Sequence, residues 1–234
     1  MSYLSFEDLP ANVRESFEKS KSENDAKEAF HRNRSGLFTA SEIHKLLTPK
    51  IQVAQNETSR NYIFEKAFEK ATGQTAKPET FAKSLEWGNM YEAEAVSSYV
   101  DYTGNQVECT GDNQYFLKHD YLPVGAYPDG RLVIGKNPLE CKCPANGGEH
   151  FKNLHCGQDI EKFKLLRFNY FIQVQVQIWL SGCEFGDFFT YRPNVDERFS
   201  RYYLRVPRCE KTITSIKEAI EKASEQLEDI LKSI

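Results

Sequence analysis

Four segments of the chain carry apolar residues at helical spacing, and a fifth begins a short helix. Residues 57–72 form the first pattern, which a glycine terminates, and residues 80–102 form the second. Residues 159–182 predict one long, largely buried helix that also ends at a glycine, residues 211–233 predict an amphipathic helix, and residues 40–47 begin a short one. The apolar faces consist of Tyr62, Ile63, Ala67, Phe68 and Ala71 in the first helix, Phe81, Leu85, Met90, Ala95, Tyr99 and Val100 in the second, and Ile213, Ile216, Ile220, Ala223, Leu227 and Ile230 in the last.

Between these helices the pattern changes to short apolar runs separated by turns, which is typical of strands. Such runs lie within residues 105–143 and at residues 185–192 and 199–207. The order of helices, strands, helix, strands and helix predicts a single α/β domain over residues 1–234, with a central mixed β-sheet. Residues 1–28 are polar and rich in Lys and Glu, and we interpret them as an N-terminal arm.

Composition narrows the class of protein. The chain has 234 residues, of which 40% are hydrophobic and 27% charged, enough for one buried core. It has no apolar run of the ~18 residues that a membrane span needs, and its first residues lack the order of a signal peptide, so we expect no membrane association and a cytoplasmic location, in the bacterial host cytosol if a phage encodes it. In that compartment the six cysteines are thiols. We interpret His150 and His155 as surface or loop residues.

The candidate chemistry lies in residues 128–142, PDGRLVIGKNPLECK. Residues i and i+2 of a strand point to the same face, so Glu140 and Lys142 share a face and Cys141 points away. The Pro-Asp-Gly turn starts the preceding strand and can place Asp129 beside Glu140. Two close carboxylates repel each other unless a cation joins them, and their oxygens suit Mg²⁺ or Mn²⁺. A lysine beside that ion suits an anionic substrate such as a phosphodiester.

The same residues also allow a plainer interpretation. Pro-Asp-Gly is a common turn, and a Glu-x-Lys strand is often only a solvated face. The net charge of −4 does not indicate general affinity for nucleic acid, although a metal-dependent nuclease needs only a local basic channel. Other parts of the chain have to decide between the two interpretations.

Five ordered blocks give the chain a family resemblance. It resembles lambda exonuclease and related phage recombination exonucleases, within the PD-(D/E)XK nuclease superfamily, from about residue 30 to about residue 207. The blocks are RSGLFTASEIHKLL (34–47), AKSLEWGNMYEAEA (82–95), YPDG (127–130), LECKCP (139–144) and QVQVQIW (173–179). The resemblance implies a restriction-endonuclease-like core, in which helices flank a central mixed sheet.

The resemblance also implies roles for the residues of the central motif. Asp129 and Glu140 would hold one or two Mg²⁺ ions, with Mn²⁺ as a possible substitute and the backbone carbonyl of Cys141 as an extra ligand. Lys142 would orient or activate the attacking water and neutralise charge on the phosphate.

Two further residues would support that shell. Glu92 lies on the predicted helix 80–102, where a third carboxylate can complete an oxygen-rich site, although a solvated helical glutamate is the plain alternative. Gln173 and Gln175 interrupt an apolar helix, and buried amides need partners. The resemblance favours Gln173 near the scissile phosphate, because Gln175 points about 200° away around the helix.

Arg34 and Ser41 match residues that hold the 5′-phosphate of the strand end. A guanidinium binds phosphate through two hydrogen bonds, and a serine near a helix start adds a donor. An ordinary surface arginine is the alternative interpretation. Tyr127 stands where the compared family member has a serine, and it could donate a hydrogen bond or stack on a base.

Together these features predict a Mg²⁺-dependent exonuclease that digests the 5′-ended strand of duplex DNA. The products would be 5′-mononucleotides and a 3′ overhang, as recombination by strand annealing requires. The resemblance further implies a homo-oligomer, a ring-like trimer around the DNA, and a single-strand annealing protein as partner. Two alternatives stay open: an endonuclease on the same fold, and a non-catalytic DNA-end-binding module.

Overall fold

A computed structural model describes residues 34–76 and 83–234, so the predicted arm of residues 1–28 lies outside the described residues. The helices are α1 (Glu57–Thr72), α2 (Lys83–Thr103), α3 (Gly147–Cys156), α4 (Ile160–Leu166), α5 (Phe168–Ser181), α6 (Glu197–Ser200) and α7 (Glu210–Ser233), with 3-10 turns at Ile43–Leu46 and Gly111–Asn113. The strands are β1 (Phe38–Thr39), β2 (Val107–Glu108), β3 (Leu117–Lys118), β4 (Val124–Ala126), β5 (Gly130–Leu132), β6 (Pro138–Lys142), β7 (Phe185–Tyr191) and β8 (Arg201–Pro207).

Two mixed sheets organise the described residues. The larger has the order β2-β5-β6-β7-β8, in which β6 and β7 are parallel and the other neighbours antiparallel. The smaller has the order β1-β4-β3, with β1 parallel to β4. Helix α5 packs on one face of the larger sheet and α2 on the other. The predicted α/β class, a mixed sheet flanked by helices, is therefore confirmed.

Strand β7, which lies between β6 and β8, is buried on both faces. Phe188 and Phe189 are consecutive, so they point to opposite sides of the sheet, and neither has exposed surface. Phe188 joins the core formed with α5 and α7, whereas Phe189 packs with Ala95 and Tyr99 of α2. Strand β8 alternates between buried and more exposed residues, as expected of a strand with one face in the core.

A short turn joins β5 to β6 and fixes their register. Gly130 of β5 pairs with Leu139 of β6. Leu139 and Cys141 then lie in the core on the α2 side of the sheet. Because side chains alternate along a strand, Glu140 and Lys142 point to the α5 side. The alternation predicted for these residues is present in the structure.

The apolar face of α1 differs from the prediction. Tyr62, Ile63 and Ala67 are buried as expected, but Phe68 is 45% exposed and Ala71 is also exposed. Lys66 and Glu69 take buried positions instead, as an ion pair with an Nζ–Oε2 distance of 2.8 Å. An apolar pattern assigns charged residues to solvent, so it overlooks a pair whose members neutralise each other.

The face of α2 is correct at Ala95 and Tyr99, which are fully buried, and wrong at Met90, which is 69% exposed. Met90 precedes Ala95 by five residues, so it lies about 140° away around the helix. The predictions for Phe81 and Leu85 fall on residues whose side chains are outside the described part of the chain.

The single helix predicted over residues 159–182 is two helices, α4 and α5, separated at Arg167. Arg167 has φ −129° and ψ 42°, which ends α4. Its guanidinium donates to Glu149 at 2.7 Å and lies 4.6 Å from the ring centre of Tyr170. Tertiary contacts hold this break, and the sequence has no glycine or proline there to mark it.

Two smaller predictions also need correction. His150 lies in helix α3 and is fully buried, with Nε2 2.6 Å from the carbonyl oxygen of Phe199. The short helix predicted from residue 40 is the four-residue 3-10 turn Ile43–Leu46, and Ser41 precedes it.

The ends of the long helices follow the prediction. Gly73 and Gly182 both take φ 70° in the left-handed region, where glycine has no steric penalty. The predicted face of α7 is buried except at Ile230, which is partly buried. No helix in the described part of the chain is long and apolar enough to cross a membrane.

Candidate active site

All the predicted site residues line one cleft of about 560 Å³. They come from the turn before β5, from strand β6, from helices α2 and α5, and from the segment around β1. The predicted residues in the lining are Arg34, Ser41, Glu92, Tyr127, Asp129, Glu140, Cys141, Lys142 and Gln173.

Asp129 lies at the point where the β5–β6 ladder ends. Its Oδ2 accepts a hydrogen bond from the backbone N–H of Cys141 at 2.8 Å. The carboxylate oxygen thus takes the place of the backbone carbonyl that a further residue of β5 would offer to this N–H. The N–H and C=O of one strand residue point to the same side, so the carbonyl of Cys141 is directed toward Asp129 and the cleft.

Glu140 is fully buried, and both of its carboxylate oxygens accept hydrogen bonds from helix α5. Gln173 Nε2 donates to Oε1 at 2.6 Å, and Gln177 Nε2 donates to Oε2 at 2.5 Å. Burial raises the pKa of Glu140, and the nearby charge of Asp129 raises it further. Lys142 and the amide of Gln177 oppose that shift. The two amides hold the carboxylate in one orientation.

Lys142 brings a cation to the two carboxylates. Its ammonium forms an ion pair with Glu140 and lies 3.6 Å from Oδ2 of Asp129. Burial would lower the pKa of Lys142, but the charges of Glu140 and Asp129 outweigh burial and raise it. Because its side chain is 30% exposed, the ammonium also faces the cleft.

Glu92 of α2 approaches the same group through a shared amide. Gln114 Nε2 lies 3.4 Å from Oε1 of Glu92 and 3.3 Å from Oδ1 of Asp129, and donates to both. Burial raises the pKa of Glu92, and Asp129 adds to this effect. Gln114 was not predicted from the sequence, since it follows a 3-10 turn and no local pattern marks it.

The three alternate glutamines of α5 have two different tasks. Gln173 and Gln177 lie one turn apart on one face and both bind Glu140. Gln175 donates to the carbonyl of Pro207 at 2.7 Å and accepts from the N–H of Cys209 at 2.9 Å, away from the cleft. The prediction that Gln175 points away from Gln173 around the helix is therefore correct. Gln177 lies four residues after Gln173 on the same face, so the same helical geometry would have found it.

The predicted 5′-phosphate residues share a second, smaller pocket that adjoins the cleft. Arg34, Ser41 and Tyr127 line both pockets, together with Gln173. Tyr127 stacks on Phe116, with ring centres 4.6 Å apart and planes 27° from parallel. The structure therefore brings these three residues to the same end of the cleft as the amide of Gln173.

The donor chemistry of the cleft fits a hard divalent cation. Asp129, Glu140 and Glu92 offer carboxylate oxygens and Cys141 a carbonyl oxygen, which are ligand types that Mg²⁺ and Mn²⁺ prefer. Within residues 34–76 and 83–234, no three His, Cys, Asp or Glu side chains converge as a preassembled metal group. Mg²⁺ usually keeps several waters and needs only one or two carboxylates, so two converging carboxylates suffice.

The chain belongs to the YqaJ-like viral recombinase domain family, whose model matches residues 29–184. That range contains the five sequence blocks and every residue of the candidate site. The resemblance to phage recombination nucleases is thereby confirmed.

Several solved structures share the fold. The alkaline exonuclease LHK-Exo from Laribacter hongkongensis has a TM-score of 0.71 at 22% identity, over 86% of this chain and 92% of that one. The same exonuclease in complex with dAMP has a TM-score of 0.74 at 23% identity, over 88% and 95%. A phage-related exonuclease from Haemophilus somnus 129PT has a TM-score of 0.68 at 15% identity, over 84% and 96%. No curated protein matches the chain at a significant level.

Proposed function

We propose that the protein is a Mg²⁺-dependent exonuclease that digests the 5′-ended strand of linear double-stranded DNA to mononucleotides. The 3′ overhang would then serve recombination by strand annealing. The observation that carries the proposal is the convergence of Asp129, Glu140 and Lys142 with the end-binding candidates Arg34 and Ser41 in one cleft. Membership of a viral recombinase family and a fold shared with exonucleases support the same conclusion.

The residues of the cleft divide the chemistry among themselves. Gln173 and Gln177 fix the orientation of Glu140, so the carboxylate is positioned before any ligand arrives. Asp129 and Glu140 would hold the metal, with the carbonyl of Cys141 as a further ligand. When bound, Mg²⁺ supplies Lewis-acid polarisation of the phosphate and lowers the pKa of a water molecule.

Lys142 acts on the substrate side of this arrangement. Its ammonium lies beside both carboxylates and faces the cleft. A cation there stabilises the charge that develops on the phosphate oxygens as the phosphodiester bond breaks, and it orients the attacking water. Glu92 and Gln114 hold the opposite side of Asp129 and complete the polar shell.

Arg34 and Ser41 give the reaction its polarity. A guanidinium binds a terminal phosphate through two parallel hydrogen bonds, and the serine hydroxyl adds a third donor. With the 5′-phosphate held at this end, the scissile bond of the terminal nucleotide would lie at Asp129 and Glu140. Tyr127 would stack on the terminal base or donate to the phosphate.

The proposal extends to partners. A ring-like homotrimer would enclose the duplex end, and a single-strand annealing protein would take over the exposed strand. Sedimentation of the purified protein, alone and with duplex DNA, checks the trimer. Mn²⁺ is expected to replace Mg²⁺ because both ions accept oxygen ligands.

One assay series tests the function. In Mg²⁺ the 5′-ended strands of a linear duplex with 5′-phosphate ends should be degraded to mononucleotides, those of a duplex with 5′-hydroxyl ends more slowly, and a covalently closed circle not at all. Chelation of the metal should stop all degradation. Cleavage of the closed circle would establish an endonuclease, and metal-independent binding of ends without cleavage would establish an end-binding module.

A further inference from the structure

A buried ion pair lies directly beneath the turn that carries Arg34. Lys66 and Glu69 of α1 have side chains that are only 6% and 10% exposed. The Lys66 ammonium also lies 5.5 Å from the ring centre of Tyr62. Burial of two opposite charges costs desolvation energy that a pair of apolar residues would avoid, so the pair calls for another role.

Glu69 contacts the turn through two different atoms. Its Oε2 accepts from the backbone N–H of Gly36 at 3.2 Å, and its backbone carbonyl accepts from Oγ of Ser35 at 3.0 Å. Three residues further on, the N–H of Thr39 donates to the hydroxyl of Tyr62 at 3.0 Å. Helix α1 therefore holds the backbone that immediately follows Arg34.

The turn has little room to move. The N–H of Leu37 donates to the carbonyl of Arg34 at 3.0 Å, which closes the turn. Gly36 has φ 70°, and a Cβ added there would lie 3.0 Å from Cβ of Lys70. The backbone thus fits against α1 only with glycine at this position. Because Arg34 is two residues away, its side chain emerges from a backbone whose orientation α1 determines.

We propose that Glu69, paired with Lys66, is a positioning residue for Arg34 and thereby sets the preference of the enzyme for 5′-phosphorylated ends. The inference rests on the proposed function, since it assumes that Arg34 binds the terminal phosphate. Glu69 itself is buried behind the turn and does not line the cleft. Its effect on the reaction must therefore pass through the backbone of Ser35 and Gly36.

The decisive measurement is the ratio of the digestion rates of 5′-phosphate and 5′-hydroxyl duplexes. Glu69→Ala should lower the rate on phosphate ends about tenfold, because a small displacement of a binding group is costly, and should change the rate on hydroxyl ends far less. Glu69→Gln should retain most of the ratio, because its side-chain oxygen still accepts from the N–H of Gly36. In an Arg34→Ala background, Glu69→Ala should lower the ratio no further.

Glu228→Ala is the matched control. It removes an exposed ion pair with Lys70 on the same helix α1 and should leave the ratio unchanged. If Glu69→Ala does not fold, Gly36→Ala is the second variant. Its Cβ would press on Lys70 of α1 and displace the same turn, so it should lower the ratio as well.

The outcomes separate the inference from the proposed function. If Arg34→Ala abolishes the phosphate preference but Glu69→Ala and Gly36→Ala keep it, or slow both substrates equally, the positioning role of Glu69 is overturned alone. Additive losses in the double variant would overturn it too. If the unmodified protein shows no preference for phosphate ends, the proposed 5′-end pocket is overturned first, and the role of Glu69 with it.

Discussion

Two fully buried carboxylates lie on neighbouring strands of the larger sheet and differ in their partners and in the side of the sheet they face. Glu140 of β6 and Asp187 of β7 both have no exposed surface. Glu140 pairs in register with Phe188, so it shares the α5 side of the sheet, whereas Asp187 pairs with Leu139 on the α2 side. Glu140 belongs to the wall of the cleft, whereas Asp187 does not line it.

Their partners show the difference. Asp187 accepts from the hydroxyls of Tyr99 at 2.7 Å and Tyr203 at 3.2 Å, and from the guanidinium of Arg205 at 2.9 and 3.1 Å. A guanidinium and two phenols satisfy both oxygens. The helix partners of Glu140 are neutral amides. Among the described residues its one ion-pair partner is Lys142, which also forms an ion pair with Asp129.

The comparison shows that burial alone does not identify a functional carboxylate. Asp187 is saturated by the buried Tyr99, the partly exposed Tyr203 and the exposed Arg205, all of them groups of the fold itself, which is typical of a structural carboxylate. Glu140 shares Lys142 with a second carboxylate at the edge of a cleft, which is where we propose that a metal ion binds. The partners and the open side, rather than the exposed fraction, separate the two roles.

The largest expected effect is on the cleft side. Asp129→Ala or Glu140→Ala should abolish cleavage and leave the circular dichroism spectrum unchanged, because the metal supplies several kcal/mol of transition-state stabilisation. The measurement is the rate of mononucleotide release in Mg²⁺. A rate within about tenfold of the unmodified protein, equivalent to ~1.4 kcal/mol, would contradict the assignment.

Lys142→Ala should also lower the rate strongly, but it should preserve metal binding. The lysine is expected to act on the phosphate and water, so calorimetric titration with Mn²⁺ should still show binding. Lys136→Ala, which removes an exposed partner of Glu108 at the same β5–β6 turn, is the control and should affect neither property. Loss of Mn²⁺ binding together with activity would make Lys142 a structural residue.

Gln177→Ala should weaken Mn²⁺ binding or activity by roughly 10–100-fold, as is usual when a partner of a metal ligand is lost. Oε2 of Glu140 would lose its amide donor. Gln175→Ala should instead lower the free energy of unfolding by about 1 kcal/mol and leave activity intact, since its bonds are to the β8–α7 connection. A larger activity loss in Gln175→Ala would reverse this division of tasks.

On the α2 side of the sheet, Asp187→Asn should act on stability. In the asparagine variant an NH₂ group replaces one carboxylate oxygen and faces the hydrogen-bond donors of Tyr99, Tyr203 and Arg205. This mismatch should lower the free energy of unfolding by about 1–3 kcal/mol. Urea denaturation measures this loss, and the rate of the folded protein should change by no more than a few-fold. Loss of activity with unchanged stability would mean that Asp187 contributes to the cleft after all.

The smallest effect concerns His150, a fully buried group whose ring nitrogens lie next to the neutral oxygens of Phe199 and Thr190. Burial lowers the pKa of His150, and the carbonyl of Phe199 only partly opposes this. The neutral imidazole is favoured in the folded state, so its contribution to stability is complete above the unfolded value of 6.5 and declines as the pH falls below it. The loss is at most about 1.4 kcal/mol per pH unit, and His150→Gln should remove that part of the pH dependence.

Much of the site can be predicted from the sequence because its three central residues follow local rules. The Pro-Asp-Gly turn and the two-residue alternation of a strand place Asp129, Glu140 and Lys142 together without any long-range information. Ordered sequence blocks then connect Arg34 and Gln173 to them. The same local rules predict the buried strand β7 and the apolar face of α7.

What the sequence hides are contacts between residues far apart in the chain. Glu69 meets Gly36 across 33 positions, and Tyr99 meets Asp187 across 88. Hydrophobic periodicity assigns charged residues such as Glu69 to solvent, and it does not reveal the partner of Tyr99, because these partners lie on other elements. The sequence does not predict the break at Arg167 either, because contacts of its side chain, rather than a glycine or proline, end the helix.

The alternation of β6 has a consequence for how this protein can change over time. The proposed catalytic residues alternate with residues that fill the core along one five-residue strand. A single insertion or deletion in the β5–β6 turn would turn Cys141 into the cleft and drive Glu140 and Lys142 into the apolar cluster around Tyr99. A length change at this turn would therefore remove folding and catalysis together, so we expect relatives to keep its length fixed.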